Sequence, residues 1–97
     1  MTRVFLTSAA EAELAAAVDW YDAHAPGTGA KVLDEYEALI DRLSINPRQF
    51  PLVHGDVRRA GFSHFPYGLF FRLNHDRVEV FACFHARRDP ALWRTRS

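Results

Sequence analysis

After a short leading strand, the hydrophobic period of this chain passes from helical spacing to strand spacing, and that switch restricts the folds open to it. From residue 8 to Asn46-Pro47 the apolar residues recur every three or four positions, and from Val57 the period becomes that of strands. Ala10, Leu14, Ala17, Val18 and Tyr21 define one helical stripe. Ser8-Ala9-Ala10-Glu11 precedes it as a capping-box pattern, in which hydroxyl and carboxylate satisfy orphan amides at a helix start. Trp20 lies roughly 100° from the centre of the stripe at ~3.6 residues per turn, on its flank or exposed. Pro26-Gly27 ends this helix near Ala25. A second helix begins at Thr28 or Gly29 and runs to Ile45. Val32, Leu33, Tyr36, Leu39, Ile40 and Leu43 form its apolar face, flanked by Asp34, Glu37 and Asp41. Two helices of roughly 18 residues with so short a connection pack as an antiparallel hairpin. Asn46-Pro47 stops the second.

Residues 2–7 read as a leading strand, with Val4 and Leu6 on one face. Residues 47–56 form a proline-containing connector pinned by Phe50, Leu52 and Val53. Residues 57–63, 67–74 and 77–84 then read as three strands. A two-residue turn at His75-Asp76 sets Asn74 against Arg77, Leu73 against Val78, Arg72 against Glu79 and Phe71 against Val80. Carried further, the register sets Leu69 against Ala82. The Leu73 face meets the helical hairpin. The other face carries Phe70, Arg72, Glu79, Phe81, Cys83 and His85, a mixture too polar for a dry core. Asp89-Pro90 caps and starts a last helical turn through Trp93. The expected fold is α+β: an N-terminal strand, an antiparallel helical hairpin, then a three-stranded antiparallel meander. The helices pack on one sheet face, a short C-terminal helical turn follows, and one domain spans residues 1–97.

A hydrophobic fraction of 48% with 25% charged residues excludes disorder as the main state. The formal net charge of zero hides a polarised chain. Residues 1–47 hold three basic and eight acidic side chains, a net −5, and residues 48–97 hold nine arginines and four acids, a net +5. Of the 12 basic residues only Lys31 is lysine, and the arginine fork suits phosphate and carboxylate. A coding bias toward arginine and alanine explains that count but not its clustering. Met1 leads directly into the first strand without a secretory pattern, and no apolar run approaches the ~20 residues of a membrane span. A soluble, cytoplasmic protein without membrane contact is expected.

The densest polar segment is residues 85–94, where His85, Arg87, Arg88, Trp93 and Arg94 leave the last strand together. Arg58, Arg59 and Arg72 lie on the neighbouring strands. Guanidinium groups beside an aromatic plane suit a phosphodiester-plus-base ligand and equally an acidic protein segment. The structural alternative makes Arg72–Glu79 a cross-strand ion pair worth ~0.2–1 kcal/mol and leaves Arg88 and Asp89 as capping residues. Catalysis would need proton transfer, which arginine does not perform, so His85 is the one nearby candidate, with His64 as a possible companion. The histidines are too scattered for a metal site, the single Cys83 excludes an internal disulfide, and no cofactor motif is present.

Trp20-Tyr21, Asn46-Pro47, Val57-Arg58-Arg59, Phe65-Pro66-Tyr67, His85-Ala86-Arg87-Arg88-Asp89-Pro90 and Trp93, in this order of elements, resemble the RelE/ParE superfamily. These are toxins of bacterial type II toxin–antitoxin modules, often labelled plasmid stabilisation proteins. The resemblance covers residues 3–96 and is most specific where the Phe-Pro-Tyr strand entry meets the His-x-Arg-Arg-Asp-Pro exit. For RelE-like members it implies cleavage of messenger RNA in the ribosome, which would map onto Arg59, His85, Arg87 or Arg88 and the position of Trp93. The lysines common in such sites are missing, and Trp93 does not exchange a proton as tyrosine does. For ParE-like members it implies a long helical hairpin and poisoning of DNA gyrase, and the two long helices here fit that branch. In either case the resemblance implies a cognate antitoxin whose acidic or amphipathic C-terminal segment wraps the sheet and hairpin. Apolar anchors of that segment would sit beside Trp20 or Phe50, and its acidic part would approach the arginines. A relative that has lost toxicity and only binds is the third reading.

Overall fold

Thr7, one residue before the expected cap, starts the first helix: its Oγ1 accepts the amide of Ala10 at 3.2 Å. The computed structural model describes residues 1–88 and 90–96, with Trp93 by its backbone alone. The elements run β1 (Arg3–Leu6), α1 (Ser8–His24), α2 (Thr28–Ile45), a 3-10 turn (Pro47–Gln49) and β2 (Leu52–His54). They continue with β3 (Val57–Gly61), β4 (Tyr67–Asn74), β5 (Arg77–His85) and α3 (Pro90–Arg94). The expected cap at Asp89 lies outside the described residues.

Between the helices, Gly27 turns the chain at a φ of 90°, a left-handed conformation that glycine adopts without strain. Asp22 then reaches across the turn, and its Oδ1 accepts the amide of Gly29 at 2.8 Å, which places a carboxylate on the N-terminus of α2. The approach requires glycine there, because a Cβ on residue 29 would stand 2.7 Å from the Asp22 carboxyl carbon.

The strands form one sheet in the order β1-β5-β4-β3-β2. β1 runs parallel to β5, and the other pairs are antiparallel. The meander therefore has four strands, because residues 52–54 of the connector pair with β3. That short edge strand is exposed on every residue, so it has no alternation to betray it in sequence. The hairpin register holds from Asn74–Arg77 to Phe71–Val80, with His75 at a φ of 59° in the turn. Beyond it a β-bulge leaves Phe81 unpaired, and Leu69 meets Cys83 instead of Ala82.

The bulge corrects two expectations about the sheet faces. Cys83 turns to the helix side, where Leu69, Phe71, Val78 and Val80 meet Ala10, Leu14, Val32, Leu39 and Leu43. The opposite face is not too polar to be dry: Val57, Phe70, Phe81, Ala82 and Phe84 form a second buried cluster there. Arginines roof that cluster, with Arg72 5.6 Å from the Phe81 ring centre and Arg88 4.8 Å from that of Phe84. Their aliphatic stems and flat heads cover apolar surface while the charge stays wet. The helix hairpin covers one face, and guanidinium groups cover the other.

Candidate functional site

β1 pairs with β5 only from Arg77 to Val80, and the Thr7 amide closes that ladder on the Val80 carbonyl at 2.9 Å. The outer edge of residues 81–85 therefore emerges without a neighbouring strand. α1 lies against it, and the C-terminal segment crosses over it. A groove of about 410 Å³ results, lined by Ala16, Trp20 and Tyr21 of α1, Tyr67 of β4, and His85 and Arg88 at the chain's exit from the sheet. Trp20 is 53% exposed and stacks on His24 with ring centres 3.8 Å apart. Tyr21 makes edge contacts with Phe65 and Tyr67 at 4.8 and 6.2 Å. The groove thus has an aromatic floor and a cationic rim.

A three-way contact closes one end of the groove. Glu13 of α1 accepts the Cys83 amide at 3.1 Å and Arg96 at 2.9 Å, both on the same Oε1. Arg96 also donates to the Phe81 carbonyl at 3.1 Å. The bulge and the bare edge leave these backbone groups without a strand to pair with, and Glu13 and Arg96 satisfy them. Burial, with Glu13 adding to it, pushes the Cys83 thiol up to about 12, so it stays protonated and inert.

The residues expected at the site divide by position. Arg59 extends over the facing pair Gly61 and Gly68 on the open sheet face, toward Phe70. A Cβ on Gly68 would stand 2.5 Å from Arg59 Nε, so the bare strand pair is what admits the guanidinium. Arg88 covers Phe84, and its amide donates to the His85 carbonyl at 3.0 Å. Arg59, His85 and Arg88 share one open depression of about 280 Å³ with Val53 and Pro90. Arg72 lies over Phe81 and reaches Asp56 at 3.3 Å, while facing Glu79 in the register. Arg58 bonds the carbonyls of Phe50 and Arg48 at 2.7 and 3.3 Å, tying the connector down. Arg87 is exposed in the turn after β5, and Arg94 ends α3. The side chain of Trp93 lies outside the described residues.

His85 stands between the groove and the depression. Its Nδ1 accepts the Arg87 amide at 3.0 Å, and Tyr67 meets its ring edge-on at 5.2 Å. Burial, then Tyr21 and Cys83, hold the Tyr67 hydroxyl above its ordinary range against the opposing pull of Arg88. His64 is drawn elsewhere: its Nδ1 meets Glu35 Oε2 at 2.6 Å. Glu35 also takes the amides of Ser63 and His64, at 2.8 and 3.0 Å, and so clamps the β3–β4 loop onto α2. Burial pulls the Glu35 carboxyl upward, but these amides and the His64 ring outweigh it and hold it below its ordinary value. Among the described residues no three His, Cys, Asp or Glu side chains are grouped to hold a metal. Sequence reasoning passed over Glu13, Glu35 and Arg96, whose partners lie 15 to 83 positions away.

A strand, a two-helix hairpin and an antiparallel meander, ending in a basic strand exit beside an aromatic groove, define the class: a small α+β domain with one helical layer on a mostly antiparallel sheet. The family described as the ParE toxin of type II toxin–antitoxin system, parDE, matches residues 4–90. The chain belongs to the ParE toxin family. A solved structure titled as the chromosomal ParDE TA system from P. aeruginosa shares the fold with a TM-score of 0.76. It is 20% identical in sequence, over 88% of this chain and 96% of that one. Comparison with curated proteins gave no match.

Proposed function

We propose that this ParE-like toxin arrests growth by binding DNA gyrase in the cytoplasm and is neutralised by a cognate antitoxin. The observation that carries the reading is the family match over residues 4–90. The helices of 17 and 18 residues support it, since the resemblance to ParE-like members implies a long helical hairpin. The antitoxin's C-terminal segment would seat its apolar anchors in the aromatic groove beside Trp20, Tyr21 and Tyr67. Acidic residues of that segment would meet Arg88 and the arginines around it. Controlled expression tests the reading: a DNA-damage response and filamentation with intact transcripts support gyrase as target. Translation arrest with cleaved transcripts would overturn it.

A ribonuclease reading has one observation in its favour, the shared depression of Arg59, His85 and Arg88. Arginine would stabilise a phosphorane there, yet among the described residues His85 is the only lining side chain of a type suited to proton transfer near neutral pH. Cleavage through the 2′-hydroxyl needs both a base and an acid. The depression offers one group for two tasks, so binding without cleavage is the better fit. A relative that is inert would show no growth defect on expression without its partner.

A further inference from the structure

The two faces of the sheet carry opposite charge. Both long helices lie on one side and bring eight carboxylates with them, against Lys31 and Arg42. The other face presents Arg3, Arg59, Arg72, Arg77, Arg88 and Arg96, each placed over a phenylalanine ring. Arg3 and Arg77 flank Phe5 at 5.8 and 4.6 Å, and Arg88 and Arg96 share Phe84 at 4.8 and 4.9 Å. Arg72 is held by Asp56 and Arg96 by Glu13. Among the described residues, Arg3, Arg59, Arg77 and Arg88 have no carboxylate within 4.0 Å. A ring beneath a guanidinium fixes its position without consuming its charge or its N–H donors.

We infer that this open sheet face binds duplex DNA through its phosphates. These four guanidiniums, without a carboxylate partner among the described residues, fall in two groups, one at each end of β5. Arg77 and Phe84 are seven residues apart along that strand, about 23 Å at ~3.3 Å per residue. A duplex of that length carries on the order of 13 phosphate charges, at one per ~1.7 Å of axis. The rings favour a duplex over a single strand: Phe70, Phe81 and Phe84 are 6%, 3% and 1% exposed, and Phe5, at 39%, is the one partly open ring among the described residues of this face, flanked by Arg3 and Arg77. An acidic peptide is the weaker fit for the face as a whole, because of these four charges Arg88 alone lines the aromatic groove and Arg3, Arg59 and Arg77 lie away from it. The inference goes beyond the gyrase reading and does not require it, although duplex DNA is the substrate that gyrase holds.

The test is fluorescence anisotropy with the purified chain and a labelled duplex of about two helical turns, between about 50 and 200 mM salt. Four phosphate contacts predict a slope of log K against log salt near −3.6, at ~0.9 per contact. Arg59→Gln and Arg77→Gln should each reduce that slope by about 1, and Arg59→Lys should restore it. Lys31→Gln, which removes the same charge from the acidic side, should leave it unchanged. Absence of binding at the lowest salt would overturn the inference, as would a slope indifferent to both arginine changes. Tighter binding to the single strand, or equal competition by polyglutamate, would assign the face to another ligand and overturn it too. The wild-type comparison of duplex, single strand and polyglutamate needs no variant to fold. Gyrase is absent from the assay, so failure here leaves the gyrase reading standing, and failure of that reading leaves this one testable.

Discussion

Replacing Glu13 with alanine should loosen the C-terminal segment and the open end of β5 together. Its Oε1 accepts the Cys83 amide at 3.1 Å and Arg96 at 2.9 Å. An amide bonded to a carboxylate contributes about 1.5–3 kcal/mol. The ion pair, with side chains 33% and 21% exposed, adds about 0.5–1 kcal/mol after screening. Alanine returns a few tenths through its helix propensity, so a net loss of about 2 kcal/mol is expected. In a domain of this size that lowers Tm by about 8–16 °C. Glu13→Gln keeps an oxygen for the Cys83 amide and loses the charge, so about 0.5–1 kcal/mol and ~4 °C are expected. Differential scanning calorimetry of the three proteins reads both numbers. A Glu13→Ala variant within about 2 °C of the parent, or a Glu13→Gln variant as unstable as Glu13→Ala, would refute the reasoning.

Three further outcomes follow from local geometry. Glu35 has its folded-state pKa below its unfolded value, so its stabilisation is full above the ordinary carboxylate range and is lost as pH falls through the folded value. Glu35→Gln should therefore destabilise by about 1–2 kcal/mol at neutral pH and converge with the parent in acid, as read by denaturant melts across pH. Gly68→Ala should change Tm by less than about 4 °C, because strand propensity offsets the lost ring contact, yet it should displace Arg59 and lower the salt slope for duplex binding. Gly29→Ala should cost about 1–3 kcal/mol by driving Asp22 off the start of α2, and an Asp22→Ala background should abolish most of that penalty in the same melts.

The period switch was enough to read the α+β order, because the two long helices and the long strands carry the apolar spacing of their own type, whereas the short β2 carries none. The helical hairpin and the His75-Asp76 register were legible for that reason. The bulge was not, since Phe81, Ala82, Cys83 and Phe84 are all apolar and an inserted residue leaves no mark on such a run. The second buried cluster was hidden for a related reason: the arginines that made its face look wet are its roof. At the candidate site, Arg59, His85 and Arg88, named from the family resemblance together with Arg87, line one depression. The engagement of Arg58 with backbone carbonyls could not be read from the sequence, because it depends on where the connector folds back. Glu13 gave no sign either, being one acid among eight in the N-terminal half with its partner 83 positions away.

The measurement that bears most directly on the central claim is supercoiling of relaxed plasmid by purified gyrase with increasing amounts of this protein. Gyrase binding predicts inhibition that saturates with the toxin and is reversed by the antitoxin's C-terminal segment. Normal supercoiling at a large excess of folded protein would contradict the claim.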